Sequence, residues 1–77
     1  MDDEQGTALW VFDTTHHALW AEEVARAAGL AVELVPAPPG AAARCQLALA
    51  AFRADAAAVE TALQEAGVPA RRYIPAR

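Results

Sequence analysis

The chain contains no serine and a single cysteine, Cys45. Without serine it cannot build a serine–histidine–aspartate hydrolase. One cysteine excludes an internal disulfide and a cysteine-rich zinc site, and in a reducing cytoplasm Cys45 is expected to be a free thiol. There is no glycine-rich phosphate loop and no pair of catalytic carboxylates. Basic residues are sparse and the net charge is −4, which argues against a nucleic-acid partner. Arg71, Arg72 and Arg77 form a local basic cluster with no aromatic residues interleaved to stack bases, so it reads as solvated surface. The acidic start, Met1-Asp2-Asp3-Glu4, is not followed by the apolar run of a secretory signal. No segment is long enough to span a bilayer. A cytoplasmic location with no membrane partner is the expectation.

What is abundant is alanine. Alanine favours helices but adds little apolar area per residue, so a 77-residue domain of this composition has a small core. Dimerisation would supplement it.

Residues 1–6 are polar and read as a disordered start. Ala8–Phe12 is a short run of strand formers. Asp13, Thr14 and Thr15 offer helix caps, and Ala18, Ala21, Val24, Ala25 and Ala28 recur at helical spacing, with Gly29 as the stop. Leu30–Val35 reads as a second strand, ended by Pro36, and Pro36-Ala37-Pro38-Pro39-Gly40 is a stiff loop. Gln46–Phe52 is a third strand, although its alanines are also compatible with helix. Asp55 is placed to cap a second helix, whose stripe is Val59, Ala62, Leu63 and Ala66 before Gly67; Val68–Ile74 is a fourth strand.

The two halves echo each other. Each has a strand ending in phenylalanine, a capped helix ending in Ala-Gly, and a strand closed by proline. A doubled strand–helix–strand unit predicts a ferredoxin-like βαββαβ α+β sandwich, with two helices on one face of an antiparallel sheet in the strand order 4-1-3-2. This topology brings Thr14, Thr15, His16, His17, the proline loop and Cys45 to one edge. Trp10, Phe12, Phe52 and Tyr73 are expected on the face that the helices leave uncovered.

Cys45 is the candidate for chemistry. It follows Arg44 at a loop-to-strand junction, near the predicted start of the first helix. A guanidinium and a helix N-terminus both favour thiolate, which predicts a pKa below the free value of ~8.5. The plainer alternative is a buried small hydrophobe. Thr14 and Thr15 are most simply caps, whose hydroxyls also suit a bound sulfur or anion. His16 and His17 point about a quarter-turn apart, and either suits a packing role or a role as the thiol's proton acceptor. With Cys45, one of them makes only a two-ligand metal site, too few for tight zinc binding. Pro36 and Pro38 stiffen the loop that carries the thiol.

The run Phe12-Asp13-Thr14-Thr15-His16-His17-Ala18-Leu19, followed by Glu22, Gly29, Val35-Pro36-Ala37-Pro38 and Cys45, resembles a family of small bacterial domains classed as selenium/sulfur carrier-like. The resemblance covers residues 7–77 as one domain. It implies a carrier that holds sulfur or selenium on Cys45 as a persulfide or selenosulfide and passes it between a donor and an acceptor protein. It implies no other cofactor, and a relay role in place of stand-alone catalysis. Gln46 and Pro39 stand where the family pattern has a glycine and a basic residue; Arg44 is a candidate substitute for the latter. Two other readings compete. One is a protein-interaction or regulatory module that docks through the open sheet face, with a homodimer among its forms. The other is a metal-handling protein that uses Cys45 with a histidine.

Overall fold

The computed structural model describes residues 6–39 and 46–74. Strand β1 (Thr7–Val11) leads through Thr14 into helix α1 (Thr15–Ala27), then β2 (Val32–Pro36). Strand β3 (Leu47–Phe52), a 3-10 turn at Arg53–Asp55, α2 (Ala56–Ala66) and β4 (Arg71–Tyr73) complete the chain. The sheet is antiparallel with order β2-β3-β1-β4, the expected ferredoxin-like arrangement. The alanines of β3 are strand: β3 lies between β1 and β2, and pairing on both sides overrides intrinsic helix preference.

Size complementarity joins the two layers. Helix α1 turns Ala18, Ala21 and Ala25 to the core, all fully buried. A strip of small residues lets the helix approach closely, and the volume comes from Trp10, Phe12 and Leu49 of the sheet and from Val59 and Leu63 of α2. Trp10 and Phe12 are therefore not on the uncovered face; they are 2% and 0% exposed, within the core. Strand alternation explains it. Ala8, Trp10 and Phe12 share one face, and the large side chains of that face must fill the space above an alanine-lined helix. Phe52, at 58% exposed, is on the open face as expected.

Both helices end in the same way. The amides of Gly29 and Leu30 donate to the carbonyls of Arg26 and Ala25. Those of Gly67 and Val68 donate to Gln64 and Leu63. Both are Schellman motifs with a left-handed glycine, φ +83° at Gly29 and +78° at Gly67. This corrects two strand starts. Leu30 and Val68 are apolar because each packs back on the core after a helix end, so β2 begins at Val32 and β4 only at Arg71. Pro36 is the last residue of β2, which an edge strand tolerates. Asp55 makes no side-chain cap, because the 3-10 turn brings the chain into α2. Residues 1–5, on which the disordered start was read, lie outside the described residues, whereas the carbonyl of Gly6 accepts from Arg53 at 2.9 Å.

Candidate functional site

The strand directions gather four chain segments at one edge of the sheet: the end of β1, the start of α1, the end of β2 and the start of β3. Cys45 and Arg44 lie outside the described residues. Gln46, the residue after Cys45 in the chain, is described. Its carbonyl accepts a 2.8 Å hydrogen bond from the Ala37 amide, which continues the β2–β3 ladder beyond Pro36–Leu47 into the proline loop.

Thr14 is the cap of α1: its Oγ1 accepts from the His17 amide at 3.0 Å. Thr15 is the first helical residue, and the cap position belongs to Thr14 rather than to Asp13. Asp13 instead accepts from Arg71 at 3.0 Å, joining the end of β1 to the start of β4. No acidic side chain lies in the first turn of α1, so the positive end of its dipole is not neutralised from within the helix.

The two histidines diverge. His16 is exposed and lines a shallow depression with Leu19, Trp20, Glu22 and Glu23 on the outside of α1. His17 is half-buried and tilts against Trp20, with ring centroids 6.5 Å apart, and its Nδ1 is buried without a hydrogen-bond partner. Among the described residues, no group of three or more His, Cys, Asp or Glu side chains is placed to hold a metal ion. Pro36 is exposed and Pro38 half-buried.

The basic cluster read from the sequence is dispersed in space. Arg71 pairs with Asp13; Arg72 pairs with Glu60 at 3.3 Å and lies 5.3 Å from the centroid of the Trp10 ring. Arg77 lies outside the described residues. Neither pairing had a local signal, because the partners are 58 and 12 residues apart. The sequence reading also passed over a crevice of about 480 Å³ at the opposite edge of the sheet, whose lining includes Thr7, Arg26, Leu30, Ala50 and Phe52. Its residues come from β1, α1, β2 and β3, with no common spacing.

No helix among the described residues is long and apolar enough to cross a membrane. A family model described as "Putative Se/S carrier protein-like" matches residues 7–75. No curated protein and no solved structure matches the chain.

Proposed function

Because the chain belongs to this Se/S carrier protein-like family, we propose that it carries sulfur or selenium on Cys45 between a donor and an acceptor protein. The observation that carries the reading is the family match, which runs from β1 through Cys45 to β4. The edge geometry supports it. The loop-closing Ala37–Gln46 bond and the capped start of α1 lie at the same sheet edge, where an anion is favoured by the helix dipole.

The chemistry is a thiol exchange. The Cys45 thiolate attacks the terminal sulfur of a donor persulfide. A new S–S bond forms on Cys45, the donor's S–S bond breaks, and the donor leaves as thiolate while the terminal S–H proton travels with the transferred sulfur. No external oxidant is needed, because the transferred sulfur is already at the sulfane level. Delivery repeats the exchange with an acceptor nucleophile. Thr14, Thr15, His16, His17, Pro36, Pro38 and Arg44 are proposed to shape and polarise this edge. The protein then acts as a cytoplasmic relay whose partners are proteins.

The test is mass spectrometry of the intact chain after incubation with a cysteine desulfurase and cysteine. A gain of one sulfur that reductant removes and that Cys45→Ala abolishes is expected. A chain that gains no sulfur, or gains it equally after Cys45→Ala, overturns the reading.

A further inference from the structure

Asp13 immediately precedes Thr14, the cap of α1. Its carboxylate places a negative charge at the sheet edge where a sulfur-bearing anion has to be received, and like charge there opposes a thiolate. Arg71, the first residue of β4, donates to that carboxylate at 3.0 Å. Register explains how residues 58 apart meet. Val11 is paired with Arg71 on one side and with Ala48 on the other, so β4 begins at the edge where β1 ends and β3 begins.

We infer that Arg71 is a positioning residue for this edge: by pairing with Asp13 it offsets the one carboxylate beside the start of α1, so that an anion can be held where Cys45 joins β3. The two side chains are 51% and 56% exposed. An exposed pair of this kind adds little to stability, so its effect is on the local charge. Asp13 follows Val11 by two residues and Gln46 precedes Ala48 by two. The ends of neighbouring strands at a spacing of ~4.8 Å put them on the order of 5–10 Å apart. Cys45 is one peptide step, ~3.8 Å between Cα atoms, from Gln46. A single charge at such a range still acts on a thiol.

The other charged or titratable described side chains at this edge are few. His16 and His17 start α1, Glu65 lies in the last turn of α2, and Arg72 is paired with Glu60. The ends of β2 and β3, with Ala37 and Gln46, carry no charge. Arg44 adjoins Cys45 in the chain. The inference rests on the carrier reading for its purpose and on the Asp13–Arg71 pair for its test.

Cys45 is the only cysteine, so alkylation by iodoacetamide reads it alone. The rate is measured against pH at low ionic strength for the wild type, Arg71→Gln, Asp13→Asn and the double variant. Arg71→Gln leaves the carboxylate uncompensated and should move the midpoint up. Asp13→Asn leaves the guanidinium and should move it down. Each shift should be on the order of 0.3 pH unit, as for one charge ~10 Å away in water-like surroundings. The double variant should return to the wild-type midpoint, and 1 M salt, with a Debye length of ~3 Å, should remove both shifts. A pair with only a structural role is lost alike in all three variants and cannot give shifts of opposite sign. Midpoints that move the same way in both single variants, a double variant that does not return, or no shift at low salt overturn the inference. Alkylation needs no sulfur donor. A chain that shifts as expected yet gains no sulfur from a desulfurase therefore overturns the carrier reading and upholds the role of Arg71.

Discussion

The Ala37 amide donates to the Gln46 carbonyl at 2.8 Å, so the two ends of the loop that contains Cys45 are tied to each other. The bond is the last rung of the β2–β3 ladder, one step beyond Pro36 and Leu47. Proline at 36 and 38 leaves Ala37 as the only amide donor of that three-residue stretch. Replacing Ala37 by proline deletes this donor. We expect a loss of about 1 kcal/mol in unfolding free energy, the usual net value of one hydrogen bond. Sulfur loading of Cys45 should fall by more than that loss explains, since the loop is no longer closed. Urea unfolding and the mass assay on the same variant check both parts.

Thr14 satisfies an otherwise unpaired amide at the start of α1. Thr14→Ala should lower stability by ~1 kcal/mol, within the usual 0.5–2 kcal/mol range for losing a cap, and Thr14→Ser should restore most of it. Paired thermal melts of the two variants check the loss and its rescue.

Trp10 and Phe52 are both aromatic residues of the sheet, on opposite faces. Trp10→Ala should cost ~3–5 kcal/mol, enough to unfold a small domain. Phe52→Ala should stay within about 1 kcal/mol in the monomer, because its ring is mostly in water. Trp10→Phe is the informative intermediate. The indole Nε1 is buried without a hydrogen-bond partner, and an unsatisfied buried donor costs ~1–3 kcal/mol. Phenylalanine loses volume but removes that donor, so its net cost should be well below that of the volume alone. Equal losses for Trp10→Ala and Phe52→Ala would contradict the assignment of faces.

Gly29 and Gly67 hold left-handed conformations, and a Cβ at either would meet no atom within 4 Å. Substitution therefore strains the backbone without a clash. Gly29→Ala and Gly67→Ala should each cost ~1–2 kcal/mol. The two losses should add, because the sites terminate different helices. Asparagine, which tolerates this region better, should cost less than alanine at both positions. Unfolding of the two single variants and the double variant measures all three terms.

Much of this protein follows from local chemistry. Thr14, Gly29 and Gly67 set helix ends through side-chain and backbone bonds that span only a few residues, and the doubled pattern around them carries the ferredoxin-like topology and its strand order. The resemblance of the Phe12–Leu19 run and the spaced prolines to the carrier-like family was equally legible, since motif and spacing lie along the chain. Other features were decided only in three dimensions. Whether Leu30 and Val68 start strands or close helices depends on the core beneath them, because an apolar residue after a helix-ending glycine satisfies either pattern. Trp10 and Phe12 face the helices where the fully buried residues of α1 are all alanine, and alternation alone does not say which face of a strand is covered. The Asp13–Arg71 and Glu60–Arg72 pairs, like the Ala37–Gln46 closure, join residues that only strand pairing and layer packing bring within a bond's length.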